Sequence, residues 1–357
     1  MDEIKGNPTM KALVYHGPGK IALEDRPKPK VLQATDALVR ITTTTICGTD
    51  LHILKGDVPA VADGRILGHE GVGIVEAVGA DVPGFHPGDK VLVSLITSCG
   101  RCGACKKGMF SHCVHGGWRL GNSLDGTQAE YVLVPYAETG LHLLPPDSDD
   151  EATVMLSCIL PTGMECGAQN ARVKPGDVTA IVGAGPVGLA VLLAARLFSP
   201  SEIIMVDLDA HRLERARSLG ATQTVDSSEG KAAEKILALT KGAGVDSAIE
   251  AVGVPATFEL CQAILAPGGR LANVGVHGKP VELHLEKLWG ANLTLKTRLV
   301  DAATTPLLLK MVLSGKLDSK KLVSHRFKLA DILEAYRVFG DAAREKALKV
   351  VIRVAEP

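Results

Sequence analysis

The sequence predicts an α/β protein of two domains, the first built from short β-strands and the second a doubly wound parallel sheet covered by helices. Three observations predict it. Residues 10–145 carry short β-rich runs (KALVYH, DALVRITTTTI, GVGIVEAVG, DKVLVSL, AEYVLVP) separated by Gly, Pro and Asp turns. From about Thr162 apolar runs alternate with helical segments, as in VTAIVGAG, PVGLAVLLAARLF, EIIMVD and AHRLERARSLG, which implies parallel strands with helices on both faces. The 357 residues suffice for two domains of roughly 100 to 200 residues each.

Taken in order, the β-rich pattern fills residues 1–159. The alternating pattern, continued by TQTVD, AEKILALT, VDSAIEAVG, PATFELCQAIL, RLANVGV and LTLKTRLV, fills residues 160–298. Residues 299–357 read as helices in PLLLKMVLSG and LADILEAYRVFG and a last strand in ALKVVIRV, and are expected to complete the first domain. The segment before Thr9 is expected to be mobile.

Composition narrows the partners. Hydrophobic residues make up 46% and charged residues 22%, an ordinary globular mix. Lys plus Arg (39) balances Asp plus Glu (40), which leaves no net field to attract nucleic acid or an anionic membrane, so a small molecule is the expected partner. The opening MDEIKGNPTMKALVYHG has no apolar stretch of the kind that directs secretion, and a cytoplasmic location is expected. Residues 178–195 are uncharged and about as long as a minimal membrane span, but the GAGPVG at their middle marks a turn between strand and helix.

Of eight cysteines, four fall at Cys99, Cys102, Cys105 and Cys113. In a chain without secretion signals such clustering points to metal and not to disulfides. Four soft thiolates in one short loop suit a closed tetrahedral zinc site whose role is to staple a lobe. His112 and His115 flank Cys113, and either could stand in as a ligand.

Gly183-x-Gly185-x-x-Gly188 follows the strand VTAIV and opens a helix at Pro186 and Val187, the setting that makes this motif a dinucleotide site. The helix amino terminus offers N–H groups to the pyrophosphate. Asp207 ends the next strand, where a carboxylate accepts from both ribose hydroxyls and repels a 2′-phosphate; NAD is therefore expected over NADP, with Arg212 and His211 as cations that could offset the repulsion.

Cys47 in TTTTICGTDLH, His69 in GHEGVG and Cys158 in VMLSCILPTG are unremarkable singly. Together, CGTDLH, GHEGVGIVEAVG, the four-cysteine loop, the PTG after Cys158 and VGAGPVGL stand in the order found in zinc-containing medium-chain alcohol dehydrogenases. The chain resembles that family over nearly its whole length. The resemblance implies a GroES-like β domain and a Rossmann domain with the active site in the cleft between them. It implies that Cys47, His69 and Cys158 hold a catalytic zinc, leaving one position open for the substrate oxygen. It further implies that Thr49 accepts the substrate proton, that His52 passes it towards solvent, and that Asp50 bonds the far nitrogen of His69. Glu70 is either a transient ligand or the partner of a base such as Lys349. Thr162 and the backbone from Val274 to Val276 are expected against the nicotinamide, and Val252 is expected in the cofactor site.

Two features depart from the bacterial secondary-alcohol relatives. Many of those have Asp at the place of Cys158, and many lack the four-cysteine loop, whereas GGWRLGN resembles them and makes Trp118 either a wall of the alcohol pocket or a core residue. The expected activity is reversible oxidation of a primary or secondary alcohol to an aldehyde or ketone with hydride transfer to NAD, using two zinc ions per chain. The alternatives are a polyol, threonine or glutathione-adduct dehydrogenase, and a non-enzymatic cofactor-binding scaffold. Relatives imply a homo-oligomer, a tetramer in bacteria or a dimer in higher organisms.

Overall fold

The computed structural model describes residues 8–355, and the expectation of mobility before Thr9 falls, Pro8 apart, outside the described residues. Contacts divide the chain into two units: residues up to Cys158 joined by those from Asp301 onward, and Ile159–Val300.

The first unit is organised by the strand Ala37–Ile46, buried along almost all of its length. Its β-branched run suits a strand packed on both faces, but four consecutive threonines place hydroxyls in the interior, and each buried hydroxyl needs an acceptor. Thr42 Oγ1 donates to Val72 O at 3.1 Å and Thr44 Oγ1 to Glu70 O at 2.7 Å, so the threonine run fastens the neighbouring strand and the residues just before it. A seven-stranded sheet forms around it in the order Leu141–Leu143, Lys90–Val93, Gly71–Val78, Ala37–Ile46, Lys349–Arg353, Val323–Lys328, with Tyr131–Val134 also on Ala37–Ile46. A three-stranded sheet orders Ile21–Pro27, Thr9–Tyr15 and Arg65–Ile66. The helix Ile332–Gly340 buries Ile332, Ala335, Tyr336 and Phe339 in a cluster with Leu13, Ile46 and Val350.

Two elements in this unit have weak signatures. Gly48–Lys55 is a helix started by a reciprocal cap, in which Cys47 N donates to Asp50 Oδ2 at 2.9 Å, and ended by Gly56 in the left-handed conformation. Val323–Lys328 (VSHRFK) has little apolar content and forms by parallel pairing with Lys349–Arg353.

The second unit is a six-stranded parallel sheet ordered Gln223–Asp226, Glu202–Asp207, Val178–Val182, Val245–Glu250, Leu265–Asn273, Thr294–Thr297. Helices Pro186–Arg196, Ala210–Ser218, Ala232–Leu239 and Pro255–Ala263 lie between successive strands. The uncharged stretch 178–195 is thus a strand followed by all but the last residue of the 11-residue helix Pro186–Arg196. Among the described residues no helix is long and apolar enough to cross a membrane. The run LTLKTRLV is a strand only over Thr294–Thr297.

Candidate metal centre and cofactor site

Four donors converge inside the first unit. Cys47 precedes the helix Gly48–Lys55, His69 and Glu70 immediately precede the strand Gly71–Val78, and Cys158 follows a short 3-10 turn. The donor atoms of all four lie within 4.8 Å of one another. Three elements far apart in sequence meet there, joined in part by hydrogen bonds: the Thr44 hydroxyl on the threonine strand and the Thr127 hydroxyl on a separate segment each donate to Glu70 O at 2.7 Å, and Gly71 N donates to Ser157 Oγ at 3.1 Å.

Burial makes the electrostatics severe. A hydrogen bond from the Cys158 thiol pulls the Cys47 thiol well below its ordinary value, and the positive charges of His69 and Lys349 act in the same direction. The same bond, with burial, pushes Cys158 well up. Burial disfavours charge on His69, but Cys47, Asp50 and Glu70 hold its imidazolium up to about 9. Burial raises the Asp50 carboxyl to about 6. Lys349 is raised despite burial, because Glu70 and both sulfurs surround it with negative charge.

Several buried atoms are left unmatched: Glu70 Oε1, His69 Nδ1 and Asp50 Oδ1 have no hydrogen-bond partner. Glu70 Oε2 accepts from Lys349 Nζ at 2.6 Å and from Thr45 Oγ1, while Oε1 faces His69 Nε2 at 3.8 Å. The Glu70–Lys349 pair is therefore present and leaves one carboxylate oxygen turned to the donor cluster. Asp50 Oδ1 and His69 Nδ1 face each other at 3.9 Å, longer than a hydrogen bond. Two soft sulfurs, an imidazole and a spare carboxylate oxygen, close together and all buried except for the partly exposed Cys47, fit a zinc ion.

The second cluster fits zinc on geometry alone. Zinc–sulfur bonds of about 2.3 Å place tetrahedral sulfurs about 3.8 Å apart. Cys102 Sγ lies 3.5 Å from Cys105 Sγ and 3.9 Å from Cys113 Sγ, and Cys99 Sγ completes a group within 4.8 Å. That group contains neither His112 nor His115. Backbone N–H groups aim at the sulfurs: they lower Cys102 to about 6 and lower Cys99, whereas burial raises Cys105 to about 12. The lobe is tied down where Ser111 N and Oγ donate to Asp301 Oδ1 at 2.9 and 2.7 Å.

In the second unit the glycine motif takes the shape its sequence requires. Gly183 has φ +106°, and a Cβ there would lie 2.6 Å from Val252 Cγ2. At Gly188 a Cβ would lie 1.8 Å from Gly183 O, so only glycine lets the helix begin this close to the strand. Pro186 and Val187 open that helix, and Gly185 at its cap provides no side-chain acceptor for the first N–H groups. Asp207 sits beside the loop, accepting from Ala184 N at 2.6 Å and Asp209 N at 3.0 Å. Arg212 Nη1 is 4.0 Å from the position of a Cβ on Gly185. Val252 and Val276 are exposed at the carboxyl ends of neighbouring parallel strands, where ligands of such sheets bind.

Comparison with known proteins settles the family. The model of the alcohol dehydrogenase GroES-like domain matches residues 33–146, and that of the zinc-binding dehydrogenase matches residues 186–314. An alcohol dehydrogenase of Cupriavidus necator is 40% identical, over 96% of this chain and 98% of its own. The chain belongs to the zinc-containing medium-chain alcohol dehydrogenases. A solved structure of zinc dependent alcohol dehydrogenase 2 from Streptococcus pneumonia, in apo form, is 53% identical with a TM-score of 0.93, covering 98% of this chain and 99% of that one. An NADP-dependent isopropanol dehydrogenase of Thermoanaerobacter brockii is 33% identical over 96% of this chain and 99% of its own.

The dehydrogenase is thus an enzyme of zinc-dependent alcohol oxidation and carbonyl reduction, with a nicotinamide cofactor. Around the Cys47, His69, Glu70 and Cys158 donor cluster, Thr49 Oγ1 lies 3.7 Å from Cys47 Sγ. His52 is partly exposed, with Nδ1 2.8 Å from Asp57 Oδ2. Trp118 stacks edge-on to His69 with ring centroids 6.0 Å apart, and its Nε1 donates to Leu120 O at 3.1 Å. Thr162 ends a short helix and leads into a π-helix, Gly163–Gln169. Sequence reading missed Glu250. Its buried carboxylate accepts from Val252 N, Gly253 N and Thr257 Oγ1 at 2.9, 2.8 and 2.6 Å, and its backbone O from Val274 N and Gly275 N. It thereby fixes both turns that carry the exposed valines. A lone Glu at the end of VDSAIE gives no signal of this until the strands are paired.

Proposed function

We propose that Cys47, His69 and Cys158 hold a catalytic zinc, with Glu70 Oε1 as a further donor, and that Cys99, Cys102, Cys105 and Cys113 hold a second zinc of purely structural role. The observation that carries this is the largely buried group of two sulfurs, an imidazole and an unpartnered carboxylate oxygen within 4.8 Å. Zinc held by these residues would supply Lewis acidity that eases loss of the alcohol proton, and a bound nicotinamide would supply the hydride acceptor.

The chain's own residues handle the proton and the fit. Thr49 relays the proton of the alcohol: its hydroxyl oxygen takes that proton as its own hydroxyl proton is passed on towards His52. His52 passes it to solvent, with Asp57 2.8 Å from its Nδ1 as the stabilising charge. Trp118, held against the His69 ring, forms one wall of the alcohol pocket. Thr162, Val252, Val274 and Val276 face the nicotinamide, and Gly183, Gly185 and Gly188 the pyrophosphate. Asp207 receives the ribose hydroxyls and selects NAD, although Arg212 lies close to the same loop and a relative is named NADP-dependent. The substrate is a primary or secondary alcohol; thiolate at Cys158 favours this over polyols and threonine.

The reading places the enzyme in the cytoplasm as a homo-oligomer. None of its eight cysteines is joined in a disulfide, in keeping with a reducing compartment. Thr294–Thr297 is an edge strand of the parallel sheet with Leu295 exposed on it and Trp289 exposed just before it, a surface suited to a second copy. The test follows NADH and NADPH absorbance over a panel of primary, secondary, aromatic and polyhydroxy alcohols, with zinc content measured on the same sample. Two zinc ions per chain and turnover of simple alcohols with NAD are expected; a zinc-loaded protein inert towards every alcohol would overturn the assignment.

A further inference from the structure

Gln128 and Tyr336 have no place in the site described so far, yet they lie at the end of a buried chain of hydrogen bonds that leads to His69. Tyr336, on the helix Ile332–Gly340, donates its hydroxyl to Gln128 Oε1 at 2.8 Å. Gln128 Nε2 donates to Thr45 O at 3.1 Å and to Asp50 Oδ2 at 3.2 Å. Cys47 N donates to the same Asp50 oxygen at 2.9 Å. With Oδ2 occupied twice, the other oxygen, Oδ1, is the one that faces His69 Nδ1, and neither atom has another partner.

The orientation of the amide follows from chemistry. A backbone carbonyl and a carboxylate can only accept, so the nitrogen of Gln128 must face Thr45 and Asp50, and its oxygen must face the one available donor. Tyr336 is that donor. Water cannot substitute, since Asp50, Gln128 and Tyr336 are 1%, 0% and 5% exposed.

The backbone of Gln128 grips the same segment from the other side. Gln128 N donates to Leu67 O at 3.0 Å, and Thr127 N to Gly68 O at 3.0 Å. Gly68, directly before His69, has φ +93°, and a Cβ there would lie 2.6 Å from Gln128 Cγ and 2.8 Å from Gln128 N. One residue therefore bonds or packs on the Cys47–Asp50 cap, the Leu67–Gly68 turn and the carboxy-terminal helix. Pieces of chain 78 and 208 residues away are joined through it.

We infer that Gln128, oriented by Tyr336, is a positioning residue for the metal centre: it dedicates Asp50 Oδ1 to His69 and so sets the direction of the imidazole. The inference rests on His69 being a zinc ligand. Outer partners of ligating histidines are worth about 10- to 100-fold in metal affinity. As one step further out, Tyr336→Phe and Gln128→Leu are expected near the lower end, about tenfold each, and to overlap when combined because they act through one chain.

Zinc is titrated from the parent, Tyr336→Phe, Gln128→Leu and His69→Ala with a chromophoric chelator, and the visible spectrum of each is recorded with cobalt(II) in place of zinc. The expected result is weaker retention of one zinc, unchanged retention of the four-cysteine zinc, and shifted cobalt bands in both Gln128→Leu and Tyr336→Phe. A purely structural role would lower the melting temperature and leave the cobalt bands alone. Parental affinity and bands in Tyr336→Phe, which loses one oxygen atom and gives an answer even if Gln128→Leu does not fold, would overturn the inference. If His69→Ala keeps both zinc ions as the parent does, the ligand assignment itself fails; if it loses one while the other variants lose none, only the role of Gln128 fails.

Discussion

Replacing Lys349 by methionine tests how the metal centre is held together. Lys349 is buried, and its Nζ lies 2.6 Å from Glu70 Oε2, 2.9 Å from Thr45 Oγ1 and 3.2 Å from Ile46 O. Methionine fills most of the volume of the lysine stem but donates to none of these atoms. In the zinc-free protein Glu70, 1% exposed, then loses the cation bonded to its Oε2 and has no water to replace it. Breaking a buried pair by removing one partner costs about 3–5 kcal/mol, most of it from the charge left behind. At roughly 2–4 °C per kcal/mol for a unit of this size, the melting temperature should fall by about 10 °C. Adding Glu70→Gln removes the stranded charge, so the double variant should recover much of the loss, and the cycle should show a coupling of about 2 kcal/mol or more. The assay is thermal unfolding at neutral pH, followed by circular dichroism on the parent, both single variants and the double. A Lys349→Met protein that melts with the parent, or a double variant no more stable than Lys349→Met alone, would refute the reasoning.

Further outcomes follow from the same geometry. Asp207→Gly removes the carboxylate beside the glycine loop and leaves Arg212 within reach of it, so the ratio of kcat/KM for NADP over NAD should rise at least about tenfold, the equivalent of one 1.4 kcal/mol interaction; an unchanged ratio sinks the role given to Asp207. Cys158→Ser should abolish turnover in a protein that still melts cooperatively, whereas Cys102→Ser should lose one zinc and melt several degrees lower; the opposite pattern would exchange the roles of the two clusters. Burial lowers His142 from its ordinary 6.5 to about 4. The unfolded chain then binds the extra proton first, so the neutral ring stabilises fully above about pH 6.5, and that stability is lost as pH falls towards 4. His142→Gln should flatten the stability profile between pH 7 and 4.5 by roughly 1–2 kcal/mol, less than the full shift because the ring is only half-buried, and an unaltered urea midpoint profile would count against it.

The parts of this enzyme that could be read from sequence are those where neighbouring residues make the structure. Gly183, Gly185 and Gly188 act within one turn, and Cys99, Cys102, Cys105 and Cys113 within one loop, so their spacing carries their chemistry. The alternation of apolar strand and helix from Val178 to Asn273 is local in the same sense, because each unit buries its own face against the sheet. The proposed catalytic donors are different. Cys47, His69 and Cys158 lie on three separate segments, of which the one carrying His69 is held by the buried Thr44 and Thr127 hydroxyls at Glu70 O, and no spacing within a single segment encodes that closure. Resemblance to a family supplied what spacing could not. Lys349 could be suggested as a partner for Glu70, but Gln128 and Tyr336 could not be singled out at all, since a glutamine in GTQAEY and a tyrosine in an amphipathic helix look like ordinary core. Their significance arises from hydrogen-bond valence: Asp50 has two oxygens, Cys47 N and Gln128 Nε2 occupy one, and the remaining oxygen points at His69. Residues of this kind become visible when every buried donor and acceptor is assigned a partner, because the two atoms left over here, Asp50 Oδ1 and His69 Nδ1, are the ones that face each other.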